Sequence, residues 1–329
     1  MTTPQRVLPF PMDRSLGDLY LLDDAVGVKY IGQARGHVTV DEGAKVKLSI
    51  NDPLNAYLSP LDDLQPNDLQ AVSLYSAYIS TSSMTHLSRM TGLTELDLGY
   101  TRVIKKLEAG IPSSENIDGL LWNLKKLVNL RILKLGHIPL TDAGMQHLIG
   151  LKKLEVLDLE ETKITDQGIS CLQDLSQLKV LDLQGVNLTT IGMRSLARLK
   201  NLQSLDLQDT KIDNKAAVHL SQMTQLRWLR LKSTMITDEG MGNLAGLSAL
   251  TELELDNNNI TDFGLIHLSG MTQLLELYLS YTKISDAGLH LLHGLPNLRS
   301  VRLKGLPISE SALRDLHLVL PECQFVTGA

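Results

Sequence analysis

Residue types that carry chemistry are present in this chain, but their spacing assembles no reaction. Asp262-Phe263-Gly264 spells the tripeptide with which protein kinases hold magnesium, yet neither a Gly-rich phosphate loop nor a His-Arg-Asp sequence accompanies it. His290 and His293 stand three apart on one expected helix, with no Cys, Asp or Glu obviously placed to complete a zinc site, and read as a solvated pair. His86, His147, His219 and His267 share one helix position but never fall in neighbouring units, so they cannot share a metal. Cys171 occupies a helix position where other units have His, Ser or Asn, and reads as an inert thiol. There is no Gly-x-Ser-x-Gly nucleophile turn. The expectation is a non-enzymatic chain with no catalytic residue, no metal and no cofactor.

Binding chemistry is better represented. Asp158, Asp182 and Asp206 recur 24 residues apart, joined by Glu160 and, after one interruption, by Glu252, Glu254 and Asp256. Like charges on adjacent strands repel, and a basic partner surface would relieve the repulsion. The alternative is a solvated face. The interruption is Trp228, Arg230 and Lys232, and Trp and Arg are the types enriched at binding hot spots. Tyr278 and Tyr281 two units later, and Tyr100 earlier, extend the aromatic content of the same positions. Against a contact role, Arg230 or Lys232 can simply bridge to neighbouring acids with Trp228 packed beneath.

These residues are placed by a repeat. The 24 residues from Leu154 to Gln177 return in variant form at Leu178, Leu202, Leu226, Leu250, Leu274 and Leu298, and come once before at Leu130. Self-similarity at this period means a stack in which each unit buries its apolar side only against its neighbours. Within a unit, Leu157 and Leu159 point the same way, which predicts a short strand with one buried face. The residues flanking them (Val156, Asp158 and Glu160 here) point to the other face. Thr162 then offers a hydroxyl to loop backbone. Thr165 reads as the N-cap of a short helix and Asp166 as a complement to its dipole; Thr141-Asp142, Thr237-Asp238, Thr261-Asp262 and Ser285-Asp286 repeat the device. Parallel strands lie about 4.8 Å apart and helices need roughly 10 Å, so the stack must bend with its strands inside.

The unit LxxLxLxxTxITDxG(L/M/I)xxLxxL resembles the leucine-rich repeat family, nearest to the ribonuclease-inhibitor-like repeats of F-box/leucine-rich-repeat receptors and of similar bacterial proteins, over about residues 45–320. The resemblance implies an α/β leucine-rich-repeat solenoid: a right-handed arc with a parallel sheet on its concave face and short helices on its convex face. It also implies that the concave face binds another protein.

Read in order, residues 1–44 are a β cap and residues 45–329 the repeat domain, about 11 units long. Pro4, Pro9 and Pro11 exclude helix from the first dozen residues. Val38 to Val40 and Val46 to Ile50, around Asp41-Glu42-Gly43, predict a hairpin whose second strand is also the first of the stack. From Leu93 to Leu130 is 37 residues, 13 beyond the period, and the excess falls near 104–116 as a loop. A C-terminal cap begins near 313: Pro321 stops the last helix, and Phe325 and Val326 cover the final apolar layer.

Net charge is −6, against nucleic acid as partner. Two cysteines six repeats apart, Cys171 and Cys323, fit a reducing compartment. With neither a signal-like apolar run at the start nor a stretch of about 20 apolar residues, the expectation is a cytoplasmic chain, away from membranes and monomeric by itself. The second functional reading is a substrate receptor of a ubiquitin-ligase-type complex, or a targeting subunit for a separate effector enzyme. An F-box, however, needs about 40 residues of helix, which residues 1–44 do not offer.

Overall fold

Period-two apolar spacing produces strands of three residues, each with one dry face. Leu157 and Leu159 are fully buried while Val156, Asp158 and Glu160 are only partly covered. The computed structural model describes residues 4–23, 25, 27–50, 58–103 and 117–328. The expected insertion at 104–116 lies outside them. Two compact units divide the chain, Met1–Thr162 and Lys163–Ala329.

In the N-terminal unit, Lys45–Ser49, Ala71–Ser73, Glu95–Asp97, Ile132–Lys134 and Val156–Asp158 pair in parallel, so that Leu48, Val72, Leu96, Leu133 and Leu157 form one buried row. Lys45–Ser49 is therefore the first rung, as expected. The hairpin is not formed as expected. His37–Asp41 pairs with Gln5–Pro9 instead, antiparallel, while Lys45–Ser49 is covered by Asp18–Asp23, itself paired with Gly27–Gln33. Prolines excluded helix from the first dozen residues but did not exclude an edge strand, since Pro4 and Pro9 stand at its two ends.

In the C-terminal unit, seven parallel strands run from Val180–Asp182 to Gln324–Val326, with Leu181, Leu205, Leu229, Leu253, Leu277, Val301 and Phe325 in register. The chain end thus adds another rung. Leu316, Leu320 and Cys323 are buried there and Phe325 is half-buried, whereas Val326 is exposed. Both cysteines are buried, and burial pushes the Cys323 thiol up to about 11. At about 1.5–3 kcal/mol for each fully buried aliphatic side chain, the leucine rows are the main source of stability.

After each repeat strand from Ala71–Ser73 to Ser300–Arg302 the backbone turns through one left-handed residue. In the N-terminal unit this is Ser76, Tyr100, His137 and Glu161, with φ of 52–62°. In the C-terminal unit it is Gly185, Asp209, Ser233, Asn257, Tyr281 and Gly305. The next position holds the turn: the hydroxyls of Thr162, Thr210 and Thr282 donate to Leu159, Leu207 and Leu279 carbonyls at 2.6–2.8 Å. Asn258, at the same position, does more. Its Nδ2 donates to Leu231 O and Leu255 O (2.7 and 3.0 Å), and its Oδ1 accepts from the Thr234 N–H and hydroxyl (3.1 and 2.9 Å).

The helix starts are linked from unit to unit. Thr165, Thr261 and Ser285 accept from a backbone N–H two residues on, as expected of N-caps. The aspartate that follows, however, spends its oxygens on the next repeat: Asp166 takes the Thr189 N–H and hydroxyl (2.8 and 2.5 Å), Asp238 those of Thr261 (2.8 and 2.6 Å), and Asp262 those of Ser285 (2.9 and 2.7 Å). In the N-terminal unit Asp118 does the same for Thr141. Where the pair is exchanged, as Thr190 and Asp213, the hydroxyl donates forward to the carboxylate at 3.2 Å and Asp213 becomes the cap. At Asn214 the amide nitrogen donates to Thr237 Oγ1 (2.8 Å), and Thr237 makes no cap bond.

Candidate binding face

Strand residues beside the leucines form the open face of each unit. In the C-terminal unit, Trp228 stands between Ser204 and Glu252 in register and remains 41% exposed. Two residues on, Arg230 lies between Asp206 and Glu254. Its Nη1 reaches Asp206 Oδ2 at 3.4 Å, and its Nε lies 3.2 Å from Glu252 Oε1 and 3.7 Å from Glu254 Oε2. Partial burial works against this charge, but Glu252 and Asp206 outweigh it and hold the guanidinium above its ordinary value. Arg230 therefore bridges neighbouring acids, while Trp228 beside it is not packed away. Lys232 is half-buried.

Charge on this face is expensive. Burial, then Asp256, pushes the Glu254 carboxyl up; burial raises that of Asp256 despite its bonds from Ser280. Asp206 is buried, accepting from the Gln208 N–H (3.0 Å) and side-chain amide (2.9 Å). Asp182 accepts from Gln184 N–H in the same way at 3.0 Å. In the N-terminal unit Asp97 and Asp158 accept from the Gly99 and Glu160 N–H at 2.9 and 3.0 Å. An aspartate between the two leucines thus fastens its own turn, which is a sufficient reason for the carboxylate column.

Tyr278 is buried and not free for contact: Arg302 lies over its ring (4.4 Å), and its hydroxyl donates to Glu276. Burial, reinforced by that bond, raises the phenol well above its usual value. Tyr281 is exposed, its ring over the bare backbone of Gly305. Among the described residues no ring contact joins Trp228 to Tyr278 or Tyr281.

Tyr100, in the N-terminal unit, has ring neighbours that sequence reasoning missed: Tyr75 at 5.2 Å and His137 at 4.1 Å between centroids. His137 also pairs with Glu160 at 3.3 Å. The available signal was position, since Tyr100 and His137 occupy the same left-handed site in successive repeats once the insertion is counted. Also missed was exposed Trp122, with Lys125 Nζ 3.5 Å over its ring and His147 at its edge. Burial, then Lys125, lowers the His147 pKa. His86 sits 2.9 Å from Asp62. His290 is turned to its own helix, at 2.5 Å from Ala287 O. Asp262 of the Asp-Phe-Gly tripeptide is committed to Ser285. Among the described residues no helix is long and apolar enough to cross a membrane.

A model for a leucine-rich repeat region matches residues 138–324. Among solved structures, an internalin (inlF) from Listeria monocytogenes aligns with a TM-score of 0.55 at 21% identity, over 85% of this chain and 86% of its own. An internalin C2 (inlC2) from the same organism aligns with a TM-score of 0.43 at 25% identity, over 62% of this chain and 88% of its own. The first likeness is one of fold. No curated protein matches the sequence.

Proposed function

Since this chain belongs to the leucine-rich repeat family, a family of protein-interaction scaffolds, we propose that it is a non-enzymatic scaffold whose strand face recognises a partner protein. The observation that carries this reading is Trp228. An indole 41% exposed beside the charges of Arg230, Glu252 and Glu254 is unfavourable in water and favourable once covered. Around it, Arg230, Glu252 and Glu254 are held in fixed geometry, which lowers the entropy cost of meeting a charged partner. Buried thiols at Cys171 and Cys323 fit a reducing compartment such as the cytoplasm.

The second reading, an adaptor of a ubiquitin-ligase-type complex, finds no support in residues 5–49, which form five strands where an F-box would be helical.

The test is affinity capture with the full chain, followed by calorimetry of the recovered partner against wild type and Trp228→Ala. A loss of tenfold or more is expected. Equal affinity would remove the strand face around Trp228 from the interface.

A further inference from the structure

The turns of the N-terminal unit carry a ladder of rings. Tyr75, Tyr100 and His137 come from three successive repeats; the Tyr100 and His137 planes are 19° apart, and Tyr75 meets Tyr100 at 58°. Tyr75 is 54% and Tyr100 43% exposed. Tyr100 and His137 both hold φ of 57°, a conformation that costs an L residue about 1 kcal/mol and that Gly185 and Gly305 fill elsewhere without penalty. Bulky rings therefore stand where the backbone asks for glycine.

Glycine stands instead beside the ladder. Gly99 and Gly136 leave its foot open to carboxylates: a Cβ on Gly136 would lie 2.8 Å from Asp158 Oδ1, and one on Gly99 would lie 3.2 Å from Asp97 Oδ1. Glu160 borders the His137 end at 3.3 Å. Burial, then Tyr75 and the carboxylates of Glu160, Asp158 and Glu161, raises the Tyr100 phenol. The cation on these strands, Lys134, acts on Asp158 without offsetting the burial that raises its carboxyl.

An exposed tyrosine ring with carboxylates at its foot attracts a cation, and a planar one best: a guanidinium stacks on tyrosine and pairs with carboxylate at once, where an ammonium acts as a point charge. We propose that the Tyr75–Tyr100–His137 ladder is a binding site for an arginine side chain in a basic segment of a partner protein. This rests on the reading of the chain as a protein-binding scaffold and adds a second contact to that of Trp228.

The probe is nona-arginine, compared with nona-lysine, titrated into the full chain with ring-labelled tyrosine observed by NMR. Tyr100→Gly supplies the residue that Gly185 and Gly305 bring to the same backbone conformation, so the fold is kept. Nona-arginine is expected to shift the Tyr75 and Tyr100 ring signals, to bind at least fivefold tighter than nona-lysine, and to lose at least fivefold in affinity in Tyr100→Gly. Equal affinity of the two peptides, or no loss in Tyr100→Gly, overturns the ladder as a site. Loss in Trp228→Ala but not in Tyr100→Gly overturns it too, while leaving the scaffold reading intact.

Discussion

Asp262 holds Ser285 of the next repeat by two bonds at once, its Oδ1 accepting the backbone N–H at 2.9 Å and its Oδ2 the hydroxyl at 2.7 Å. Removing the carboxylate leaves that N–H without its acceptor at a helix start. Asp262→Ala is expected to cost about 1–3 kcal/mol, read from urea unfolding. Asp238→Asn should cost less than about 1 kcal/mol, because Asn214 already serves Thr237 through an amide.

Gly264 sits under the preceding unit's aspartate. An added Cβ would fall 2.6 Å from Asp238 Oδ1 and 2.8 Å from Ile260 Cγ2. Helix propensity alone favours alanine over glycine by about 1 kcal/mol. The close approach wins, and Gly264→Ala is expected to lower the urea midpoint; a rise would mean that the units separate easily.

Asn258 is buried and its side chain saturates two turns. Asn258→Ala strands the Leu231 and Leu255 carbonyls and is expected to cost about 2–4 kcal/mol, whereas Asn258→Thr keeps one donor, as in Thr162, and is expected to cost about half of that. Equilibrium unfolding of the pair separates the two.

The Asp256 carboxyl is raised by burial, so its ionised form opposes folding at neutral pH. That opposition disappears as pH falls through the folded value toward the unfolded one near 3.9. Asp256→Asn, which keeps an acceptor for the Ser280 N–H, is expected to unfold at higher urea than wild type at pH 7, with the gap closing near pH 4. Asp286 runs the other way. Bonds from the Ser309 hydroxyl and N–H lower its carboxyl, so its contribution is in place above the unfolded value and is lost as pH falls through the folded one.

Much of this was legible in the chain. Leu157 and Leu159 alternate with Asp158 because a strand has period two, and 24-residue recurrence carried that reading through every later unit. What escaped was what passes between units. Asp166 read by itself is a first-turn acid; its bond to Thr189 appears only when positions 23 apart are compared. The edge strand Gln5–Pro9 was hidden by prolines that forbid helix without forbidding extension. His137 falls in line with Tyr100 only after 13 inserted residues are subtracted, and Tyr75 stands one position before Ser76, the residue that matches Tyr100 in the repeat. Trp228 and Arg230 were placed on the right face, but whether a side chain there is bridged or bare depends on the lengths of its neighbours, which no pattern of types specifies.

Forward hydrogen bonding at the helix starts makes every unit a plug at one end and a socket at the other. Removing residues 226–249 would set Asn214 against Thr261, the amide-to-threonine match that Asn214 already makes with Thr237. Leu205 would then lie next to Leu253, as it now lies next to Leu229. A gene encoding such a chain can be shortened or extended by one whole module, and the reach of its binding face altered, without inventing a new seam.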